Sequence, residues 1–152
     1  MYFTVRRSEP APEATASILA DLPDGLVLPR DRDFYLVAAR NQVTYLARSD
    51  TGEPVGVLLL EPHFHETVEV HLMAVRRAYL RQGIGRRLLA EVEADARAFG
   101  TRLIEVKTIG SSDPDPSAAA SRVFYQEMGF LPVEEVHGLW PGRPALIQIK
   151  VI

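Results

Sequence analysis

The stretch that decides the fold reads Val75-Arg76-Arg77-Ala78-Tyr79-Leu80-Arg81-Gln82-Gly83-Ile84-Gly85-Arg86-Arg87-Leu88-Leu89. A strand-like segment ends, a basic loop follows, and two glycines one residue apart open a helical pattern. The first N–H groups of a helix have no partner within it, and the helix dipole adds positive charge there. Gly83 and Gly85 let a phosphate approach the backbone, and Arg81 and Arg86 can add charge-assisted hydrogen bonds. The stretch therefore predicts an anion site.

Two other phosphate-binding motifs do not match this stretch. The dinucleotide fingerprint needs a third glycine where the chain has Leu88, and the Walker pattern needs Gly-Lys-Ser/Thr, which is missing. Both motifs also belong to parallel sheets, whereas the segments before the stretch indicate a hairpin. The motif alone leaves one plain alternative, a glycine-bearing loop whose arginines are merely solvated.

The hydrophobic pattern predicts an α+β fold, with a mixed, mostly antiparallel sheet flanked by helices. Three segments joined by short loops, 43–48, 55–60 and Thr67–Val75, are expected to be antiparallel, with a turn at Glu61-Pro62-His63. The other expected strands are 2–7, 103–108, 131–136 and 145–151, and the expected helices are 14–22, 34–40, 84–99 and one that begins at Pro116. A turn is expected at Pro23-Asp24-Gly25. Since no linker divides the chain, we expect one domain over residues 1–152.

Two apolar faces are predicted from the spacing of the residues. In the 67–75 strand, Val68, Val70, Leu72 and Ala74 alternate with Glu69, His71 and Met73 on the opposite face. The helix after the glycines carries one apolar stripe. Its members are Ile84, Leu88, Leu89, Val92, Ala96 and Phe99, and Gly100 ends the helix.

Composition excludes several classes of protein. The 152 residues are 47% hydrophobic and 24% charged, as in one ordinary globular domain. Without cysteine, the chain has no disulfide, thiolate metal site or cysteine nucleophile, and it fits a reducing cytoplasm. No stretch reaches the ~20 apolar residues of a membrane span, and the first residues do not resemble a signal peptide. A net charge of -3 argues against nucleic acid as a partner.

The strand, basic loop, Gly-x-Gly and helix resemble motif A of the GNAT superfamily of acyl-CoA-dependent N-acetyltransferases. A second stretch, Ser121-Arg122-Val123-Phe124-Tyr125-Gln126-Glu127-Met128-Gly129-Phe130, is similar to the family's late helix, in which a tyrosine precedes Gly-Phe. Together with the hairpin, these stretches cover residues 43–130. Strand 106–108 and the Asp-Pro-Asp-Pro loop after it resemble an uncharacterised bacterial branch. The chain departs from the family at Leu80, where Arg or Gln is usual, and at Ala118, where Asn is common.

The resemblance implies that loop amides hold the pyrophosphate of acetyl-CoA and that an N–H near the strand end stabilises the oxyanion. The implied cofactor-binding residues are Met73, Ala74, Val75, Arg81, Gln82, Gly83, Ile84, Gly85 and Arg86. Acetyl-CoA is thus the expected cosubstrate, and no metal is expected.

The implied chemistry also needs an acid near sulfur and a base for the amine. Tyr125 is the candidate acid, because a phenol with a pKa of about 10 is a fair partner for a thiolate with a pKa of about 8.5. The alternative is that Tyr125 is an ordinary residue of the hydrophobic core. Glu69 and His71 are the candidate bases, with Glu105 as a third. The alternative for Glu69 and His71 is that both are ordinary residues on a solvated face of the strand.

The expected activity is transfer of an acetyl group from acetyl-CoA to a primary amine by direct attack. The acceptor is a small molecule or a peptide or protein, and the negative net charge slightly favours a cationic one. One alternative is a non-catalytic acyl-CoA-binding module. Another is a metal-binding protein that uses His63 and His65, since two imidazoles on one side of an extended segment can bind zinc. A cytoplasmic monomer or homodimer is expected, with no membrane or nucleic-acid partner.

Overall fold

The computed structural model describes residues 2–22 and 29–152, so the turn expected at Pro23-Asp24-Gly25 lies outside the described residues. The strands are β1 (Phe3–Ser8), β2 (Val43–Ser49), β3 (Pro54–Phe64), β4 (Thr67–Val75), β5 (Leu103–Ile109), β6 (Leu131–Trp140) and β7 (Arg143–Val151). The helices are α1 (Pro12–Ala20), α2 (Pro29–Ala38), α3 (Ile84–Phe99) and α4 (Ala119–Glu127), with short 3-10 turns at Arg77–Tyr79 and Pro116–Ala118.

The strands form one mixed sheet in the order β1-β2-β3-β4-β5-β7-β6. Strand β4 pairs with β5 in parallel, whereas β1–β2, β2–β3, β5–β7 and β6–β7 are antiparallel pairs. The α+β prediction with a mostly antiparallel sheet is therefore confirmed. In the described part of the chain, no helix combines the length and the apolarity that a membrane crossing needs.

The first compact unit comprises residues 1–61 and 71–98. Its core joins α1 and α2 to the sheet through the buried side chains of Ile18, Leu19, Ala38, Ala39, Leu46, Val57, Leu59, Leu72 and Ala74. Helix α3 approaches the sheet closely at Gly56, where a Cβ atom would lie 2.8 Å from Ile84 Cγ2. Glycine at that position therefore lets the helix pack its apolar stripe against β3.

The second compact unit comprises residues 62–70 and 99–152. In β5, the side chains of Ile104, Val106 and Thr108 are buried and alternate with less buried neighbours. Arg122 Nη1 donates to the carbonyl oxygen of Ile109 at 2.8 Å, which ties α4 to the end of β5. Strands β3 and β4 run through both units, and the single domain over 1–152 stays a prediction.

Two predictions are wrong, one about a turn and one about a buried side chain. The turn expected at Glu61-Pro62-His63 does not form, because β3 continues to Phe64 and the chain turns at His65-Glu66. Pro62 lies beyond the last β2–β3 pair, Val43↔Leu60, so its missing N–H breaks no hydrogen bond to β2. Phe99, placed in the apolar stripe of α3, is 68% exposed since it is the last residue of that helix.

Candidate functional site

The loop between β4 and α3 turns sharply before the helix begins. Arg81 and Gly83 both have left-handed backbone conformations, with φ angles of 59° and 84°. The carbonyl oxygen of Gly83 accepts the N–H of Arg87 at 3.0 Å, so Gly83 directly precedes the first helical turn. The N–H groups of this turn, from Ile84 to Arg86, have no acceptor one turn earlier in the helix. The loop therefore presents a row of backbone donors at the positive end of α3.

Open space and backbone strain distinguish this loop. A Cβ atom placed on Gly83 would meet nothing within 4 Å, so the backbone is accessible on that side. A left-handed conformation at a non-glycine residue such as Arg81 costs of order 1–3 kcal/mol and is most common at ligand-binding loops. The side chains of Arg81, Gln82 and Arg86 are exposed. This geometry suits an anion that is held mainly by backbone N–H groups.

The arginines of the basic segment divide into two groups. Arg76 has a structural contact, because its Nε donates to the carbonyl oxygen of Pro54 at 2.7 Å and its guanidinium also hydrogen-bonds Ser17. Arg81 and Arg86 extend into solvent. Packing therefore accounts for Arg76 but not for the exposed Arg81 and Arg86.

The end of β4 directs alternate N–H groups to opposite edges. The N–H of Arg76 donates to the carbonyl oxygen of Val55 on β3 at 2.8 Å. Because N–H directions alternate along a strand, the N–H of Ala74 faces the same edge, whereas those of Met73 and Val75 face the other. Residues Thr67–Val70 of β4 pair in parallel with Leu103–Val106 of β5. The side chain of Ala74 is buried in the core of the first unit.

His71 lies among polar and aromatic partners from the first unit. Its Nδ1 donates to Gln42 Oε1 at 2.8 Å, and Glu61 Oε2 is 4.0 Å from the same nitrogen. Since an amide oxygen can only accept, the neutral imidazole carries its proton on Nδ1 and a lone pair on Nε2. The rings of Phe34 and Tyr35 meet the imidazole edge-on, with centroids at 5.4 and 5.5 Å. The contact with Gln42 therefore favours the neutral tautomer that carries its lone pair on Nε2.

Glu69 is buried in a cluster of charged groups in the second unit. Its Oε1 accepts from His63 Nε2 at 2.6 Å and from Lys107 Nζ at 2.9 Å. Glu105, the Cα partner of Glu69 on β5, lies 3.3 Å from Lys107 Nζ through its Oε1. Burial lowers the pKa of Lys107, but the two carboxylates outweigh it and raise that pKa above its ordinary value. With only 6% of its surface exposed, Glu69 does not lie on a solvated strand face.

His63 and His65 have different surroundings, because β3 ends between them at Phe64. His63 is on the strand and hydrogen-bonds Glu69, whereas His65 is in the turn after Phe64. The ring of His65 lies beside Gly100, where its Nε2 is 3.2 Å from the position of a Cβ. The extended segment that would place both imidazoles on one side does not continue through His65.

Tyr125 is buried on α4. Its ring makes edge-on contacts with Phe124 and Phe130, with both centroid distances at 5.2 Å. Only 6% of the residue is exposed. The ring therefore has the surroundings of a core residue, which was the plain alternative for this position.

Two partners of the candidate bases were missed in the sequence. Gln42 lies just before β2 and carried no signal. Lys107 carried a weak one, because residues two apart on a strand share a face and Lys107 follows Glu105 by two. Its contact with Glu69 depends on the β4–β5 register, which the sequence did not show. Glu69 and His71, predicted on one strand face, have separate sets of partners.

Comparison with known proteins identifies the family. Residues 12–130 match the model of the acetyltransferase (GNAT) family, well over half of the chain. No curated protein matches the chain. A proposed GNAT acetyltransferase from Desulfovibrio desulfuricans has a TM-score of 0.84 and 22% identity, with 99% of both chains covered.

Two further solved structures share the fold. The ribosomal-protein-S18-alanine N-acetyltransferase from Escherichia coli has a TM-score of 0.76 and 17% identity, over 99% of this chain and 94% of that one. A GNAT family acetyltransferase from Elizabethkingia anophelis with acetyl-CoA bound has a TM-score of 0.71 and 19% identity, over 99% and 98%. At these identities the likeness is one of fold.

Proposed function

Because the chain belongs to the GNAT family of acetyltransferases, we propose that it transfers an acetyl group from acetyl-CoA to a primary amine by direct attack. The amine nitrogen forms a bond to the thioester carbonyl carbon, the carbon–sulfur bond breaks, and the amine loses one proton. The acceptor is a small molecule or the amine of a peptide or protein. The observation that carries the proposal is the strained, open loop at the start of α3.

Binding of the pyrophosphate is assigned to this loop. Its backbone N–H groups point outward at the positive end of α3, and the open side of Gly83 admits a phosphate oxygen. Arg81 and Arg86 add exposed positive charge. The exposed Leu80 stands where the family usually has a polar residue, and Arg81 is next to it. The proposed contacts come from Arg81, Gln82, Gly83, Ile84, Gly85 and Arg86.

Stabilisation of the oxyanion is assigned to the end of β4. The N–H groups of Met73 and Val75 face away from β3, on the edge opposite to the N–H of Arg76. Ala74 lies between these two residues, so its backbone is included in the assignment. A donor already in place where negative charge develops is worth about 2.7–4 kcal/mol of barrier in well-studied enzymes.

His71 is proposed as the general base. A neutral imidazole with its proton on Nδ1 can accept the amine proton at Nε2. Gln42 holds the tautomer. Glu69 is the weaker candidate, because its carboxylate already accepts from Lys107 and His63. Glu105 also contacts Lys107, so it too is a weaker candidate than His71.

Tyr125 is proposed as the acid that stabilises the leaving thiolate. A phenol hydroxyl can donate a hydrogen bond to sulfur even without full proton transfer. The buried ring packs against Phe130, which limits rotation of the side chain.

Calorimetric titration with acetyl-CoA, with NAD and ATP as controls, tests the proposal first. Selective micromolar binding supports the assignment of the loop, and an amine panel followed by thiol release then tests turnover. Binding without turnover of any amine would favour the acyl-CoA-binding module, and no binding would contradict the proposal. A cytoplasmic location, the absence of a metal and a monomeric or dimeric state stay predictions.

A further inference from the structure

One charged group on α2 has no partner in the part of the chain that the structure describes. The Nε atom of Arg32 is buried and has no hydrogen-bond acceptor there. A guanidinium is always charged and carries five N–H donors. A buried donor without an acceptor is unfavourable and uncommon in folded proteins. An oxygen of a bound ligand would supply the missing acceptor.

Arg32 belongs to the inner face of α2. It precedes Tyr35 and Leu36 by three and four residues and Ala39 by seven, which is the spacing of one helical face. Tyr35 and Leu36 pack against the core of the first unit, and Ala39 is part of that core. The stem of Arg32 thus starts on the side of α2 that faces the protein.

The same face of α2 leads to the proposed base. The ring of Tyr35 contacts the imidazole of His71, and Arg32 is three residues earlier, about 4.5 Å along the helix axis. Phe34 also contacts His71 and is 61% exposed, and Val37 is 59% exposed. A cation and an exposed apolar surface thus lie within two turns of α2, and two aromatic residues of the same helix contact the base on β4.

We propose that Arg32 binds a carboxylate of the acceptor, so that the acceptor is an amino acid or a similar small amine that carries a carboxylate. This inference rests on the proposed function, because it places the acceptor amine near His71. The planar guanidinium matches the two oxygens of a carboxylate. In an amino acid the amine and carboxylate are close enough for His71 and a residue one turn away to bind both. The overall charge of -3, in contrast, slightly favours a cationic acceptor.

Nuclear magnetic resonance tests the binding site without any turnover. In protein with ¹⁵N-labelled arginine, 3-phenylpropanoate is expected to shift the Nε–H resonance of Arg32, whereas 3-phenylpropan-1-ol leaves it unchanged. Arg32→Gln identifies the resonance, and the exposed Arg40→Gln is the matched control. If Arg32→Gln does not fold, Arg32→Lys replaces it, and the comparison of the two ligands needs no variant. An unchanged resonance, or a shift with inorganic phosphate and not with the carboxylate, overturns the inference.

Kinetics tests the same site with acceptors. Phenylalanine is expected to have a kcat/KM about 10-fold to 100-fold above that of phenethylamine, the range of a charge-assisted hydrogen bond. Arg32→Gln should bring the ratio close to one, mainly through KM. Equal turnover of both amines by the wild type would overturn the inference and leave the proposed function intact. Carboxylate binding with no turnover of any amine would contradict the proposed function and support the binding site.

Discussion

The loop at residues 80–86 and the Glu69 cluster (His63, Glu69, Glu105 and Lys107) are both charged, but they use their polar groups in opposite ways. In the cluster, the carboxylates of Glu69 and Glu105 both have Lys107 and His63 within about 4 Å. In the loop, the arginine side chains extend into solvent and the backbone adopts two left-handed conformations. The charges of the cluster therefore already have partners within the fold, whereas the arginines of the loop are exposed, as the proposed ligand-binding role requires.

A similar contrast holds within the basic segment itself. Arg76 makes three hydrogen bonds to Pro54 and Ser17 and is mostly shielded from water, whereas Arg81, five residues later, is exposed. Residue type alone therefore does not separate a structural arginine from a ligand-binding one. The number of acceptors already within reach of the guanidinium separates them.

The largest expected effect is that of Gly83→Glu. A carboxylate at this position places bulk and negative charge where the pyrophosphate is proposed to bind, and acetyl-CoA affinity should fall by at least about 100-fold. Calorimetric titration measures this. Gly52→Glu is the matched control, because Gly52 also has a left-handed φ and open space but lies in the β2–β3 turn. Normal affinity in the Gly83 variant would end the assignment of the loop.

His71→Gln should lower kcat by about 100-fold or more, the usual worth of a positioned base. The pH profile of the residual rate should also change, because the variant has no imidazole to accept the amine proton. Steady-state kinetics from pH 5.5 to 9 measures this. In Glu69→Gln, the profile should keep its wild-type form. If the profile changes in the Glu69 variant and keeps its wild-type form in His71→Gln, the two roles are reversed.

Tyr125→Phe should reduce kcat by about 10-fold and leave acetyl-CoA affinity within a few-fold, because only the hydroxyl is lost and the ring still packs. Tyr45→Phe is the control, since Tyr45 is also buried and its hydroxyl donates to Asp95 at 2.7 Å. That control should lose about 1 kcal/mol of stability with little change in kcat. Unchanged turnover in Tyr125→Phe would return Tyr125 to a packing role.

Lys107→Met should have the smallest effect, a loss of about 1 kcal/mol of unfolding free energy at pH 7, because water partly screens this ion pair. The raised pKa of Lys107 means that its contribution is complete below its ordinary pKa of 10.5 and is lost as the pH rises through the higher folded value. Urea unfolding at pH 7 and pH 11 measures the difference. Adding Glu69→Gln should recover part of the loss, and no recovery would contradict the coupling.

The predictions that succeeded depended on local patterns. The boundaries of β4 and α3 were read correctly, because a change of period from two to 3.6 and glycines at both ends of α3 are visible within a few residues. The turn at Glu61-Pro62-His63 failed, because Pro62 interrupts a strand only where its N–H is needed by a neighbour. That condition depends on where β2 ends.

By itself, the sequence determined the α+β class, the limits of β4 and α3, and the glycines that precede α3, because each depends on residues close together in the chain. Only the tertiary structure decided which polar groups have partners. The β4–β5 register brings Glu69 to Lys107, β3 brings His63 to the same carboxylate, and Gln42 orients His71. These contacts join residues up to 38 positions apart. Hydrogen bonds of this kind depend on strand register and order, which local patterns do not encode.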